Sequence, residues 1–297
     1  MPPDGTVLVA GATGHVGSRL VPRLVRSGRE VRALSRREQP EAAGVHWVVG
    51  DVTDGASLEA ALAGCSAAYY LVHGLGETAD LDEVERTGAG TFAAAAREAR
   101  VERVVYLGGL ARGDDLSSHL RTRREVGEIL RAEGPLTIEF RASIVIGPGS
   151  ASFELVRTLV DALPALVLPQ WVETECQPIA VDDVVEYLVG ALDLDLRQPT
   201  AYEIGGPDRI PYSELLELYG DAVGTARPTL TLPAVPLPLP DLLARVAPER
   251  ARVWLKLAEG LRFDSTVRDH RAAGAFDVRP RGVREAIADA LAEPVPS

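Results

Sequence analysis

Thr6-Val7-Leu8-Val9-Ala10-Gly11-Ala12-Thr13-Gly14-His15-Val16-Gly17 decides the reading of this chain. Thr6–Ala10 is a short β-branched run that predicts a strand, and apolar residues recur at helical spacing over Val16–Ser27. Between them stand Gly11, Gly14 and Gly17. Gly11 permits a tight turn, Gly14 lets backbone N–H groups approach a diphosphate, and Gly17 lets the helix lie close to the strand. The helix N-terminus, carrying about half an elementary positive charge, then faces the phosphates. Spaced glycines alone are weak evidence. Here the strand, the helix and the place at the head of a longer series agree.

That series continues outward. Glu30–Leu34, Val45–Val49, Ala67–Val72, Arg103–Leu107 and Leu136–Ile146 read as further strands, separated by helical patterns over Ala56–Leu62, Asp80–Arg100 and Ser117–Glu133. Alternating strands and helices predict an α/β fold, a Rossmann-type doubly wound parallel sheet covered on both faces. Residues 1–150 form its dinucleotide-binding core. Beyond Gly147-Pro148-Gly149 the pattern loosens into helices near Ser152–Leu163 and Asp182–Leu192, a strand Ala201–Ile204 and a last helix Arg281–Leu291. Residues 151–297 are therefore read as completing the sheet and forming a small C-terminal substrate lobe. Arg227–Asp241 carries five prolines, which exclude helix and favour an extended surface connector over a proline-rich docking motif.

Composition narrows the function. The 297 residues are 46% hydrophobic and 25% charged, an ordinary globular balance. With 31 Lys and Arg against 43 Asp and Glu the net charge is −12, which repels a nucleic-acid backbone. Cys65 and Cys176 stand apart with no metal-ligand spacing, so neither disulfide nor metal site is expected. No basic-then-apolar leader opens the chain and no apolar run is long enough for a bilayer. The expectation is a cytoplasmic protein, monomer or homodimer, whose partner is a small-molecule substrate, with no membrane or nucleic acid. All basic residues but Lys256 are arginine, which nearly closes off lysine-dependent chemistry.

The end of the second strand selects between cofactors. NAD sites place a carboxylate there for the ribose hydroxyls, whereas the 2′-phosphate of NADP calls for cations. This chain has Ser35-Arg36-Arg37. A hydroxyl and two guanidiniums suit a phosphate through forked, charge-assisted hydrogen bonds, so NADP(H) is expected. A solvated arginine pair is the competing reading. After the third strand, Asp51-Val52 stands where a carboxylate can accept the adenine amino group.

With these residues in hand, the chain resembles the atypical short-chain dehydrogenases/reductases, in their NmrA-like and extended-epimerase-like NAD(P)H-binding branch. Gly11 to Gly17 matches the first motif of that branch, Gly50-Asp51-Val52 its adenine motif, and Arg141-Ala142-Ser143-Ile144-Val145-Ile146-Gly147-Pro148 its sixth-strand motif. Gln177 to Val184 and Tyr202 to Asp208 also resemble it. The resemblance implies a sheet of about seven strands with the substrate lobe over the nicotinamide end. The expected cofactor-binding set is Gly11, Thr13, Gly14, His15, Val16, Gly17, Ser35, Arg36, Arg37, Asp51, Val52, Val72 and Ser143.

The departures from the family pattern bear on catalysis. Better-known members use a Ser at the end of the fifth strand and a Tyr-x-x-x-Lys pair on the next helix. Here Gly108-Gly109 replaces the Ser, His119 stands in the Tyr position and Arg123 in the Lys position. Four residues apart, His119 and Arg123 share one helix face. Arg123 can hold ribose hydroxyls but, always protonated, cannot relay a proton. An imidazole is a competent acid near neutral pH, so His119 is the candidate proton donor; the competing reading is a first-turn residue behind a Ser117 or Ser118 cap. His73, read as ending the fourth strand, is the alternative acid. His15 is expected at the phosphates, and His46 and His270 read as structural. Tyr106, Trp171 and Gln177 are substrate-pocket candidates by resemblance alone. These residues fit an NADPH-dependent reductase of a carbonyl or conjugated double bond. A non-catalytic NADP(H) sensor, or an epimerase or dehydratase using the cofactor transiently, stays open.

Overall fold

The computed structural model describes residues 5–73, 81–110, 112–113, 116–163, 165–225, 227–232 and 251–293. Six strands in the first half, β1 (Thr6–Ala10), β2 (Val31–Ser35), β3 (Val45–Val49), β4 (Cys65–Tyr70), β5 (Arg103–Gly109) and β6 (Leu136–Ala142), join Thr200–Ile204 in one sheet. The spatial order is Thr200–Ile204, β6, β5, β4, β1, β2, β3, every pair parallel. The order reverses between β1 and β4, and ligands of doubly wound sheets bind outside the carboxyl ends at such a switch point.

Period-two alternation divides the core between the two faces. Val7 and Val9 of β1, Tyr69 of β4 and Val105 of β5 pack on one side with Leu20 and Leu24 of α1 (Gly17–Arg26) and Leu188 of α6 (Val181–Gly190). Leu8, Tyr70 and Tyr106 face the other side, against Leu58 of α2 (Gly55–Leu62), Phe92 of α3 (Leu81–Glu98) and Leu130 of α4 (Ser118–Glu133). Both faces are covered, which explains why the central strands are continuously apolar rather than alternating with polar residues.

A third apolar cluster underlies the C-terminal lobe. It joins α5 (Ala151–Ala162), α7 (Tyr212–Ala222), α8 (Ala251–Gly260) and Val283–Ala292 through Phe153, Leu159, Leu215, Trp254 and Ile287.

Several boundaries differ from the sequence reading. The run Leu136–Ile146 is not one strand. β5 ends at Gly109, opposite Ala142, so no neighbour continues the ladder, and Val145–Ile146 pairs instead with Ile179–Ala180. The fourth strand spans Cys65–Tyr70 rather than Ala67–Val72, because β1 turns away at Gly11, whose φ is +85°. His73 therefore lies three residues beyond the strand it was read to end. Helices α7 and α8 went unread, as did Leu166–Pro169, which pairs with Thr229–Leu232 inside the proline-rich stretch. Residues 233–241 of that stretch, and Asp80 at the start of the third helical pattern, lie outside the described residues.

Candidate functional site

A cavity of about 650 Å³ opens along the carboxyl edge of the sheet and runs on under the C-terminal lobe. Of the expected site residues, Gly11, Thr13, Gly14, His15, Val16, Gly17, Ser35, Arg36, Asp51, Val52, Val72, His73, His119, Arg123 and Ser143 all line it. Arg37 does not. Its side chain is exposed, and its backbone N–H donates to Ser35 Oγ at 3.2 Å.

The glycine loop is built for close approach. A Cβ on Gly11 would stand 2.6 Å from the Leu71 carbonyl oxygen, and one on Gly17 only 2.1 Å from the Gly11 carbonyl oxygen. Both positions exclude any side chain. Gly14 differs: an added Cβ would meet only the Gly11 oxygen, at 3.2 Å, so the remaining space belongs to the cavity. Helix α1 begins without a side-chain cap and with no acidic residue in its first turn. The positive end of its dipole suits a diphosphate.

His15, read as meeting phosphate or solvent, lines the cavity and is also held by the protein. Its Nδ1 meets the Pro148 carbonyl oxygen at 3.1 Å, tying the glycine loop to the turn after β6, while Nε2 is buried without a partner. Arg19 donates to the His15 carbonyl at 3.1 Å and crowds Nδ1 at 3.3 Å. Burial first and the Arg19 guanidinium second lower the imidazole to about 4, against the Pro148 contact that raises it. A folded value near 4 against 6.5 makes stability from neutral His15 complete above pH 6.5 and lost as pH falls toward 4. At about 1.4 kcal/mol per unit, acidification should cost up to about 3 kcal/mol through this residue. Urea unfolding of the protein and of His15→Gln checks this; equal pH dependence in both refutes it.

At the adenine end, Ser35 Oγ accepts from Arg37 N–H and from Gln39 Nε2 at 3.2 Å each, which leaves its own proton to donate. Asp51 Oδ1 accepts from the backbone N–H and the hydroxyl of Thr53 at 2.9 and 2.8 Å, so the carboxylate is held in an Asx turn at the cavity wall.

At the other end Arg123 organises the site. Its Nη1 donates to His73 Nδ1 at 2.9 Å and its Nη2 to the Leu107 carbonyl at 2.8 Å. A guanidinium has only donors, so His73 Nδ1 carries the lone pair and the neutral ring keeps its proton on Nε2. Loss of water first, then Arg123, then His119 lower the His73 imidazole, against a Val72 backbone hydrogen bond that raises it.

Gly109 explains why Arg123 can lie there. A Cβ at 109 would meet Arg123 Nε at 3.2 Å, so the guanidinium occupies space that a side chain at this strand end would claim. The start of α4 is fixed twice over, by the Ser117 hydroxyl accepting from Leu120 N–H at 3.4 Å and by Ser118 Oγ donating to Asp82 Oδ2 at 2.8 Å. His119 is thus a first-turn residue behind a serine cap and also a wall of the cavity.

Tyr106 belongs to the core. It is 1% exposed, donates to the Arg123 carbonyl at 3.0 Å and does not line the cavity. Gln177 is structural too, accepting from Val267 N–H at 2.9 Å and donating to the Gly206 carbonyl at 2.6 Å. The Trp171 side chain lies outside the described set. Sequence reasoning missed Tyr212 and Ser265, cavity-wall residues from segments without a motif. Among the described residues no helix is long and apolar enough to cross a membrane.

A glycine loop, an uncapped helix end and a polar rim at the switch point define a dinucleotide-binding oxidoreductase-type site. Residues 11–141 match a family model described as NAD(P)H-binding. A Streptomyces griseus protein, (4-alkanoyl-5-oxo-2,5-dihydrofuran-3-yl)methyl phosphate reductase, is 31% identical over 265 residues, 85% of this chain and 86% of that one. Sterol demethylase protein B of Methylococcus capsulatus is 37% identical over 109 residues, 34% of this chain and about a third of its own length, 33%. Among solved structures, the Bordetella bronchiseptica enzyme WbmH in complex with NAD+ superposes with a TM-score of 0.73 at 16% identity, over 97% of both chains. That last likeness is one of fold. The chain belongs to the atypical short-chain dehydrogenase/reductase family of NAD(P)H-binding proteins. Its cofactor is a nicotinamide dinucleotide, and the glycine loop, Ser35 and Asp51 fit one.

Proposed function

We propose that this protein is an NADPH-dependent reductase of a carbonyl or conjugated double bond in a hydrophobic small molecule. One observation carries the reading: a single cavity joins the glycine loop and Ser35-Arg36 to an apolar wall, with Arg123, His73 and His119 along it. The cofactor, when bound, supplies a hydride. Loss of water and then Arg123 keep His73 neutral, the Arg123 contact sets Nε2–H as donor, His73 hydrogen-bonds the substrate oxygen, and His119 gives the proton. The reductase relative from Streptomyces griseus supports the reaction class.

Arg36 is at the cavity and Arg37 is outside it, which divides their roles. Calorimetric titration should show NADPH binding more tightly than NADH, with Arg36→Ala removing about tenfold of the preference, the scale of one charge-assisted contact. Arg37→Ala should remove little. Equal affinity of the intact protein for the two dinucleotides refutes NADPH selection.

A second reading, a dinucleotide sensor of the NmrA kind, is favoured by Gly108-Gly109 in place of the family's Ser. Reduced-nicotinamide consumption on a panel of neutral ketones and enones separates the two. Tight NADPH binding with no turnover across the panel establishes the sensor.

A further inference from the structure

The wall of the cavity beyond β6 has a chemistry of its own. Leu155, Leu159, Leu168, Val172, Leu216 and Leu261 are among the residues that line it. Among its described residues, from Ile144 to Ser265, there is no acidic or basic side chain. A diphosphate-bearing substrate placed there would bury charge without a cation, at a cost of several kcal/mol per ion.

Besides Ser150 and Ser152, which pair with each other at 3.1 Å, three hydroxyls from three separate parts of the chain meet in this apolar wall. Ser143 Oγ lies 2.6 Å from Ser265 Oγ, and Tyr212 Oη lies 2.8 Å from the same Ser265 Oγ. All three residues line the cavity. Each is placed by backbone: Ser143 where the chain leaves the sheet, Tyr212 at the first position of α7, and Ser265 by its N–H donating to the Glu175 carbonyl at 3.0 Å. Burial raises the Tyr212 phenol well above its ordinary range, so it remains a neutral donor. Each hydroxyl is both donor and acceptor and can rotate, so the cluster can turn an O–H toward an acceptor in the cavity.

Building on the reductase reading, we infer that the Tyr212–Ser265–Ser143 hydroxyl chain anchors a substrate oxygen other than the one that His73 meets, and that the ligand is an uncharged, largely apolar molecule bearing a hydrogen-bond-accepting oxygen. The apolar wall selects against charge and the hydroxyl chain selects for one oxygen. Tyr212 and Ser265 are thus specificity-determining residues in segments that carry no family motif.

Prodan, a neutral naphthyl ketone whose emission moves to the red when its carbonyl accepts a hydrogen bond, reads both halves of this inference without turnover. It should bind saturably, with and without NADPH, and far more tightly than the anionic probe anilinonaphthalene sulfonate. Tyr212→Phe keeps the ring and removes one hydroxyl; Ser265→Ala breaks the chain at its centre. Each should weaken prodan about fivefold and move its emission to the blue, the scale of one neutral hydrogen bond. NADPH affinity should hold in both variants, which separates a lost anchor from a lost fold. Unchanged emission and affinity in both variants, an absence of saturable prodan binding, or equal binding of the sulfonate overturns the inference. Failure of NADPH to bind while the prodan effects persist would sink the cofactor reading and leave the anchor standing.

Discussion

Gly14→Val should lose dinucleotide affinity by about a hundredfold or more while the protein stays folded. The expectation rests on what surrounds that Cα. Within the protein an added Cβ meets only the Gly11 carbonyl oxygen, at 3.2 Å, a contact relieved by a few tenths of an ångström. The two further methyl groups of valine add bulk at a position that lines the cavity, where backbone N–H groups of the loop would meet the diphosphate. Two charge-assisted hydrogen bonds at about 1.5–3 kcal/mol each set the size of the loss. Gly17→Ala is the contrasting variant. There the Cβ would stand 2.1 Å from the Gly11 oxygen and 2.9 Å from the Ala12 Cα, both backbone atoms, so the helix must lift off the strand. That variant should lose stability as well as binding, by several kcal/mol. Fluorescence titration with NADPH and thermal unfolding distinguish the two. Intact binding in Gly14→Val would show that the glycine loop is not the dinucleotide site.

The first half of this fold was legible because its signals are local. In β1 the strand run, the turn glycine and the start of α1 follow within twelve positions, Thr6 to Gly17, and the structure places each of them there. The end of β4 was misplaced because a strand's last residue is set by its neighbour: Tyr70 is the last to pair, opposite Ala10, and nothing in Leu71-Val72 announces that. The same cause splits the run after Ala142. In the C-terminal lobe the signals are not local at all. Tyr212 and Ser265 face one cavity although fifty-three residues separate them, and their partner Ser143 belongs to the Rossmann core. Only assembly of three elements reveals that they touch. The Arg123 guanidinium on His73 is a similar case. Spacing put Arg123 on the face of His119, whereas its guanidinium donates to His73 and to the Leu107 carbonyl, fifty and sixteen residues away in sequence.

Arg123→Met should lower turnover by about a hundredfold or more and displace the acid limb of the pH profile. Methionine keeps the length of the stem but donates nothing, so His73 loses the bond that fixes its Nδ1 as acceptor and Nε2 as donor. With the tautomer free, the N–H that polarises the substrate oxygen is no longer held in place, and removal of one positioned donor costs about 2.7–4 kcal/mol in comparable sites. The pH dependence follows from the same contact. Desolvation, Arg123 and His119 together depress His73, and the depressed group is active when neutral. Deleting Arg123 removes the second of these causes, so His73 takes up a proton at higher pH than before. Activity that needs its neutral form must then fall at higher pH on the acid side. His119→Phe removes only the third and smaller cause of that depression, so it should shift the limb less while losing turnover on the scale of a missing general acid, about a hundredfold. Gly109→Ser completes the set. Its side chain would press on Arg123 Nε, already 3.2 Å from the Cβ position, and so restoring the family's serine should lower activity rather than raise it. NADPH affinity measured alongside each variant keeps chemistry apart from binding. If Arg123→Met retains full turnover with an unmoved acid limb, Arg123 serves only to pack α4 against the end of β5, and the hydrogen-bond-donor role of His73 goes with it.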